Sequence, residues 1–312
     1  MQLKPALDSA IARLESAGIG SPRLNAEVLL MFTLACDRAH LYAHAERELS
    51  PEELARYQAA LEERARGKPA QYITGHQEFW GLDFLVSPAV LIPRPETEHV
   101  IETVLELARS GSASVSPAVA AAPLPPHSPL APRHSPLRLV DVGTGSGCIA
   151  LALAKELPEA EIVAVDISSA ALEIARANAA RLQLDQRVKF LESNLLEGLL
   201  PVGAGDLPAR FDFVVSNPPY VGEAQPEKVQ REVREFEPKV AVFAGESGLE
   251  VYRQLIPQAR AALRPGGWLV MEIGFSMEAA VRALVVGPGW QEVRVTHDLQ
   301  GIPRVVAARK ES

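Results

Sequence analysis

The most chemically specific stretch of the sequence is the tetrapeptide Asn217-Pro218-Pro219-Tyr220, which directly follows the apolar run 211–216. Because proline fixes its own backbone angle, two consecutive prolines hold this segment rigid just after a buried strand. The side-chain oxygen of Asn217 and the carbonyl of Pro218 then serve as two fixed hydrogen-bond acceptors, and Tyr220 adds a flat wall. This arrangement suits a planar group that carries an NH2. The alternative is a rigid turn with a stacked aromatic ring.

Two other apolar runs end in residues that suit a nucleoside ligand. The run 137–142 leads into a glycine-rich loop whose candidate binding residues are Gly143, Thr144, Gly145, Ser146 and Gly147. Its G-x-G-x-G spacing differs from the dinucleotide fingerprint, and it lacks the Lys-Ser/Thr ending of a P-loop. Asp166 ends the next run, where a carboxylate can accept hydrogen bonds from both ribose hydroxyls. The competing interpretation of Asp166 is an N-cap for the following helix.

Asn194 and Leu195 follow a further apolar run, 188–192. A polar side chain there can meet the edge of an adenine ring, with the leucine against its face. Ligands of parallel sheets bind at the carboxyl ends of the strands. We therefore predict that these strand ends, together with the tetrapeptide at Asn217, form one binding site.

The elements that must position these residues alternate regularly from residue 137 onward. Apolar runs predict strands at 137–142, 161–166, 188–192, 211–216, 268–273 and 304–309. Helical stretches lie between them, near 147–157, 168–182, 248–264 and 276–286. Near-continuous apolar strands that alternate with helices are typical of a doubly wound, mainly parallel α/β sheet.

The N-terminal part is predicted to be helical from about residue 3 to 68. Leu3, Leu7, Ile11 and Leu14 form one apolar stripe at helical spacing. Ser21-Pro22 and Ser50-Pro51 have the pattern of helix starts, with Glu53 completing a capping box at the second. Aromatic and branched residues around Gly81, within 78–92, predict a short hairpin.

This pattern divides the chain into three parts. We predict a helical domain over 1–75, a hairpin linker over 76–93 and an α/β domain over 94–312. Residues from about 110 to 136 are dominated by Ser, Ala and Pro, with no acidic residue. Repeated proline blocks both helix and sheet, so this segment is predicted to be a disordered or polyproline-like surface insertion.

Composition excludes several classes of protein. The chain has 312 residues, of which 47% are hydrophobic, so it is not disordered as a whole. Neither a signal peptide nor an apolar run long enough to span a membrane is recognisable, and two distant cysteines, Cys36 and Cys148, fit a reducing cytoplasm. A formal charge of −8 disfavours general nucleic-acid binding. His40 and His44 lie four apart but lack a third ligand, so no metal is expected.

These residues resemble the class I methyltransferases (Rossmann-like fold) that use S-adenosylmethionine. Asn-Pro-Pro-Tyr resembles the tetrapeptide of enzymes that methylate a planar nitrogen. The segments 71–98, 237–256, 263–274 and 298–306 are similar to the PrmC/HemK family, whose members methylate a glutamine of peptide chain release factors. The likeness covers nearly the whole chain and is interrupted at about 110–136.

The resemblance implies a role for each motif. The glycine-rich loop lies along the amino-acid part of the cofactor, and Asp166 holds its ribose. Arg94, Pro95 and Thr97 lie near the cofactor, and the helical domain helps to bind the release factor. The expected reaction is methyl transfer to N5 of the glutamine in the GGQ motif. Asn194, Ser247 and Met277 depart from the Asp, Asp and Gln that the family pattern leads us to expect.

Three rival functions remain at this point. An amino-methylating DNA enzyme shares Asn-Pro-Pro-Tyr but needs a target-recognition region and a basic cleft, and a ribosomal RNA methyltransferase meets the same electrostatic objection. A non-enzyme that binds the cofactor only to regulate a partner is expected to have lost Asn217 or Tyr220. Both residues are present.

Overall fold

The computed structural model describes residues 1–112, 135–200, 211–224 and 229–311. Its N-terminal part is a bundle of five helices around one apolar core that includes the predicted Leu3, Leu7 and Leu14, with Ile11 packed at the edge. The helices are α1 (Leu3–Ser16), α2 (Pro22–Leu34), α3 (Arg38–Ala43), α4 (Pro51–Ala65) and α5 (Ala70–Thr74). Among the described residues, no helix combines the length and the apolar character needed to cross a bilayer.

The two predicted helix starts have different outcomes. At α4 the capping box is confirmed: Ser50 Oγ accepts the N–H of Glu53 at 3.1 Å, and the Glu53 carboxylate accepts the N–H of Ser50 at 2.9 Å. At α2 the predicted start is confirmed, with Ser21 as the N-cap residue and Pro22 as the first helical residue, but no side-chain cap forms. Ser21 has a left-handed backbone (φ 49°) and its side chain makes no cap bond. Instead the Asn25 side chain donates to the carbonyls of Gly20 and Ser21.

A two-stranded hairpin follows the bundle, as predicted around Gly81. Strands β1 (His76–Phe79) and β2 (Leu82–Leu85) pair antiparallel through the turn Trp80-Gly81. Both turn residues have positive φ, 54° and 65°, which is the geometry of a tight two-residue hairpin. A short 3-10 helix (Pro95–Thr97) then leads into α6 (Glu98–Ser112).

The first residues of the segment predicted to be disordered at about 110–136 are helical. Residues 110–112 are the last residues of α6, so that part of the prediction is wrong. The helical pattern of α6 continues across Ser110 because neither of the next two residues is proline. Residues 113–134 of the predicted insertion lie outside the described residues, and residues 135 and 136 belong to no helix or strand.

The second half is a seven-stranded sheet with the predicted doubly wound topology. Its strands run in the order β5-β4-β3-β6-β7-β9-β8, parallel from β5 to β7 and antiparallel at β9 and β8. They are β3 (Arg138–Val142), β4 (Glu161–Asp166), β5 (Val188–Glu192), β6 (Phe211–Ser216), β7 (Leu263–Glu272), β8 (Trp290–His297) and β9 (Pro303–Lys310).

Two details of the sheet differ from prediction. Strand β8 was not predicted, because it is a half-exposed edge strand whose polar and apolar residues alternate instead of forming an apolar run. Strand β7 begins at Leu263, where a helix was predicted to extend to 264, and it includes Pro265 beside a register shift against β6. A bulge of this kind tolerates a proline, which cannot donate a ladder hydrogen bond.

Helices cover both faces of the sheet. Alternate strand residues face opposite cores: Leu139 packs with α6 and the hairpin on one face, and Val140 packs on the other. The remaining helices are α7 (Cys148–Glu156), α8 (Ser169–Arg181), α9 (Arg231–Phe236), α10 (Lys239–Val242), α11 (Glu250–Ala262) and α12 (Glu278–Val285).

Asn178 of α8 joins three parts of the fold. Its side chain is fully buried, accepts the N–H of Leu85 at 2.7 Å and donates to the Leu85 carbonyl at 3.0 Å. The same amide group donates to the carbonyl of Ser146 in the glycine-rich loop at 2.9 Å. One side chain thus ties the hairpin and the loop to the sheet domain.

We expect Asn178→Ala to lower the free energy of unfolding by about 2–4 kcal/mol, because it removes the partner of three backbone groups, the buried carbonyl of Ser146 and the N–H and carbonyl of half-buried Leu85. Urea unfolding of the cofactor-free protein measures this loss. Asn194→Ala, which removes an exposed asparagine, is the matched control and should change stability by less than about 0.5 kcal/mol. Equal losses in the two variants would contradict this account of Asn178.

Candidate active site

The glycine-rich loop is folded tightly against β4. The N–H groups of Gly143 and Thr144 both donate to the Val165 carbonyl, at 2.8 and 2.9 Å. Gly143, Gly145 and Gly147 have φ of 72°, 55° and 83°, a conformation that side chains with a Cβ rarely adopt. The loop therefore holds its backbone close to the strand ends and leads directly into α7.

Asp166 is held between the glycine-rich loop and the turn into α8. Its carboxylate accepts the N–H of Gly145 at 2.8 Å and that of Ser168 at 2.9 Å. Helix α8 is capped by Ser168, whose Oγ accepts the N–H of Ala171, so the N-cap interpretation of Asp166 is wrong. Burial raises the pKa of Asp166, and the backbone N–H groups of Ser168, Gly145 and Ile167 oppose that shift. Each carboxylate oxygen keeps a further lone pair for a ligand.

The residues after β5 lie beside Asp166. The Ser193 N–H donates to the Asp166 carbonyl, which brings Asn194 and Leu195 to the same cleft. Asn194 is exposed, and its side chain donates to Glu197 at 2.9 Å. Leu195 has a left-handed backbone (φ 49°) and is half-buried. These two residues supply a polar edge and an apolar surface.

Asn217 is anchored to the far side of the cleft. Its Nδ2 donates to Thr97 Oγ1 at 3.0 Å, and that hydroxyl donates to Glu272 Oε2 at 2.6 Å. The Tyr220 side chain also points towards Glu272, with its hydroxyl 3.5 Å from Glu272 Oε1. Its ring lies against Gly274, where a Cβ would come within 2.7 Å of Tyr220 Cδ2. Asn217, Thr97 and Tyr220 thus meet around one buried carboxylate.

Glu272 is the site residue that the sequence interpretation missed. It is the last residue of β7 and only 2% exposed. Burial raises its pKa to about 7, although the Thr97 hydroxyl opposes the shift. A charged residue at the end of an otherwise apolar strand is a signal that the sequence does carry, since unpaired carboxylates are rarely buried without a role.

Most of the predicted residues line one cleft of about 190 Å³. Those that line it are Arg94, Thr97, Gly143, Thr144, Gly145, Ser146, Asp166, Asn194, Leu195, Asn217 and Pro219. Pro95, Gly147, Pro218 and Tyr220 are not among the residues lining it. Pro95 begins the 3-10 helix that carries Thr97, and Gly147 is the N-cap of α7.

Tyr220 lines a second, neighbouring cavity of about 440 Å³. Arg94 lines both cavities, and its guanidinium pairs with the buried Glu237, which also accepts the N–H of Ile92. Gln71 of α5 and Glu272 line the second cavity as well. The sequence-based interpretation did not anticipate this cavity, because its walls come from segments distant in the chain.

Asp141 is a second buried carboxylate, beneath the glycine-rich loop. Its Oδ2 accepts the Thr144 hydroxyl at 2.6 Å and the Ala150 N–H at 3.2 Å. Its Oδ1 is buried with no hydrogen-bond partner among the described residues. Burial raises the pKa of Asp141 to about 7, against the effect of those two donors.

The departures from the family pattern have local contacts. Ser247 donates both its N–H and its hydroxyl to Glu250 Oε1, each at 2.9 Å, at the start of α11. Met277 lies at the start of α12, beside Gly274. Within the described part of the chain, no group of three His, Cys, Asp or Glu side chains has the geometry to bind a metal ion.

Comparison with family models identifies two regions. Residues 5–75 match the PrmC N-terminal domain, and residues 130–235 match the methyltransferase small domain. A protein of Koribacter versatilis (strain Ellin345) named release factor glutamine methyltransferase is 52% identical over 310 residues, 99% of each chain. A protein of the same name from Geobacter sulfurreducens is 40% identical and covers 98% of this chain and 96% of its own.

Solved structures show a similar fold at low sequence identity. The human METTL16 catalytic domain in complex with MAT2A 3′UTR hairpin 6 has a TM-score of 0.52 at 18% identity, covering 82% of this chain and 81% of its own. The N-terminal domain of human METTL16 in complex with SAH has a TM-score of 0.50 at 18% identity, covering 96% and 93%.

Replacement of Asp141 by Asn should change how stability depends on pH. A carboxyl with a raised pKa binds its proton more tightly in the folded chain, so its contribution to stability is lost as the pH rises through 7. Between pH 6 and pH 8 the wild type should lose about 1.4 kcal/mol more than Asp141→Asn. Urea unfolding at both pH values tests this, with exposed Asp185→Asn as a control that behaves like the wild type. Parallel curves for wild type and Asp141→Asn would overturn the assignment.

Proposed function

The chain belongs to the release factor glutamine methyltransferase family, and from this premise we propose that it transfers the methyl group of S-adenosylmethionine to the side-chain amide nitrogen of a glutamine in peptide chain release factors. The observation that carries the proposal is the juxtaposition of Asn217, with its amide anchored to Thr97, and a cleft suited to a nucleoside. The same proposal includes a cytoplasmic location, where both cysteines stay free.

The cleft residues fit the chemical groups of this cofactor. Asp166 has lone pairs left for ribose hydroxyls, and Asn194 with Leu195 offers a polar edge and an apolar face for adenine. The cofactor supplies a methyl group bonded to a positively charged sulfur, which is a strong electrophile.

The protein must activate a poor nucleophile. An amide nitrogen shares its lone pair with the neighbouring carbonyl, and no side chain deprotonates it at neutral pH. Asn217 Oδ1 and the Pro218 carbonyl accept its two N–H groups and aim the nitrogen at the methyl group. As the bond from the nitrogen to the methyl carbon forms and the bond from that carbon to sulfur breaks, positive charge develops on the nitrogen, and these fixed acceptors stabilise it. One N–H proton leaves to water after the transfer. Correct positioning supplies much of the remaining rate enhancement, up to several kcal/mol.

The second cavity suits the approach of the acceptor side chain. It lies between the helical bundle and the sheet domain, and Gln71, Tyr220 and Glu272 all line it. Arg64 of α4, 4% exposed, pairs with Glu232 of α9 at 2.5 Å and so fixes the bundle against the catalytic domain. We therefore assign release-factor binding to the helical domain, residues 1–75, and catalysis to residues 94–312, with the hairpin segment 76–93 as their link.

The proposal is tested by incubating the full chain with labelled S-adenosylmethionine and a purified class I release factor. Mass spectrometry should locate one added methyl group on the glutamine of the GGQ motif. A release factor with asparagine at that position is the matched control and should stay unlabelled. Labelling of ribosomal RNA or DNA, with none on the release factor, would replace the proposal with one of its rivals.

Asp166→Ala should weaken cofactor binding. Loss of charge-assisted hydrogen bonds to the ribose is expected to cost about 1.5–3 kcal/mol, which raises the Kd by roughly ten- to 150-fold. Calorimetry with S-adenosylmethionine measures it, and Asp185→Ala, which changes an exposed aspartate, is the control. Unchanged affinity in Asp166→Ala would remove Asp166 from the site.

Asn217→Ala should impair turnover much more than cofactor binding. The variant loses one acceptor for the substrate amide, and the loss is largest when the nitrogen carries positive charge, about 3–4 kcal/mol. The kcat is therefore expected to fall by about a hundredfold or more. Single-turnover methylation of the release factor gives the rate, and calorimetry gives the affinity for S-adenosylmethionine. Near-normal methylation would mean that the tetrapeptide is only a rigid turn.

A further inference from the structure

A continuous chain of three side chains links Asn217 to the buried end of β7. Asn217 Nδ2 donates to Thr97 Oγ1 at 3.0 Å, and Thr97 Oγ1 donates to Glu272 Oε2 at 2.6 Å. Thr97 and Glu272 are each 2% exposed, so water does not compete for these bonds. Neither residue has a role in the methyl transfer described so far. Thr97 is nevertheless one hydrogen bond, and Glu272 two hydrogen bonds, away from Asn217, which accepts from the substrate amide.

The number of hydrogens that these three side chains can donate determines which way the Asn217 amide faces. A threonine hydroxyl carries one hydrogen, and an ionised carboxylate only accepts hydrogen bonds. Thr97 must therefore donate its hydrogen to Glu272, and its oxygen can then only accept one from Asn217. Asn217 satisfies it with its NH2, which leaves its Oδ1 as the group available to a substrate.

We infer that Thr97 and Glu272 are positioning residues that hold the Asn217 amide with its oxygen, and not its NH2, towards the substrate. The inference rests on the proposed function and specifies how its acceptor is oriented. Reversal of the amide would present an NH2 to the NH2 of the glutamine, and two donors cannot bond each other. Thr97 and Glu272 then affect catalysis through Asn217, without contacting the substrate.

Protonation of Glu272 reverses the direction of these two hydrogen bonds. The proton of a neutral Glu272 belongs on Oε2, because Oε2 lies 2.6 Å from the Thr97 hydroxyl, whereas Oε1 lies 3.5 Å from that of Tyr220. Glu272 then donates to Thr97, Thr97 donates to Asn217, and Asn217 turns its oxygen inwards. The groups that face Glu272 are the Tyr220 hydroxyl, the Thr97 hydroxyl, Glu96 and Arg304, while the Tyr252 hydroxyl donates to its backbone carbonyl. Because burial raises the pKa of Glu272 to about 7, the reversal falls within the neutral range.

Glu272→Gln separates positioning from a purely structural role. A glutamine side chain does not titrate, so the direction of the hydrogen bonds in this variant is the same at every pH. Between pH 6 and pH 8 the wild-type kcat should rise about tenfold, the change in the ionised fraction of a group with a pKa near 7, and the Glu272→Gln kcat by less than about twofold. Parallel profiles would overturn the inference.

Thr97 provides the second kinetic test. Thr97→Val keeps the shape of the side chain but removes the hydroxyl, and its kcat should fall by about tenfold or more with a much smaller change in the KM for the release factor. Thr97→Ser restores the hydroxyl and should recover most of the activity. Loss of activity in both variants, or in neither, contradicts the inference.

A measurement without substrate distinguishes failure of the inference from failure of the proposed function. The chain has four asparagines, Asn25, Asn178, Asn194 and Asn217, so selective ¹⁵N labelling gives four side-chain amide signals, and Asn217→Ala identifies one of them. That signal should shift between pH 6 and pH 8 in the wild type and stay fixed in Glu272→Gln. A wild-type signal that does not move refutes the inference whether or not a release factor is methylated. A signal that moves without methylation supports the inference and refutes the proposed function.

Discussion

The site depends on the register of the parallel strands. Val142 of β3 pairs with Val165 of β4 and with Ser216 of β6, and Ser216 pairs in turn with Met271 of β7. Four chain segments therefore leave the sheet at the same level. The residues that directly follow the four paired residues are Gly143, Asp166, Asn217 and Glu272. A slip of one residue in any strand would turn its functional side chain to the opposite face. The hydrophobic cores on both faces prevent that slip, because they fix which residues face inwards.

Much of this arrangement could be predicted from the sequence, because strand ends are local features. An apolar run followed by Asn217-Pro218-Pro219-Tyr220, or by the glycine-rich loop, indicates both the element and where it stops. The roles of Glu272 and Asn178 could not be predicted in the same way. Glu272 meets Thr97 across 175 positions of sequence, and Asn178 meets Leu85 across 93. Such contacts exist only after the sheet and hairpin have packed. Strand β8 was missed for a different reason. It is an edge strand with one solvent-exposed face, so its sequence contains no continuous apolar run.

Two buried carboxylates, Asp141 and Glu272, lie under the two halves of the site. Removing a carboxylate from water disfavours its charged form, and the structure offsets that only in part, through hydroxyl and backbone donors. The fold tolerates this cost where function needs an acceptor. Asp141 retains an unused lone pair beneath the glycine-rich loop, and Glu272 orders the hydroxyl that holds Asn217. The same buried setting makes the direction of those hydrogen bonds definite, since no water can substitute for a missing donor.

The orientation of the Asn217 amide towards the acceptor can be observed in a crystal structure. The crystals, grown at pH 8 and diffracting to high resolution, should contain the chain with S-adenosylhomocysteine and a release-factor peptide that includes the GGQ motif. We expect the glutamine amide nitrogen to lie within about 3 Å of both Asn217 Oδ1 and the Pro218 carbonyl, with Asn217 Nδ2 still bonded to Thr97. A glutamine amide held by other groups, or an Asn217 that turns its NH2 towards the glutamine, would contradict it.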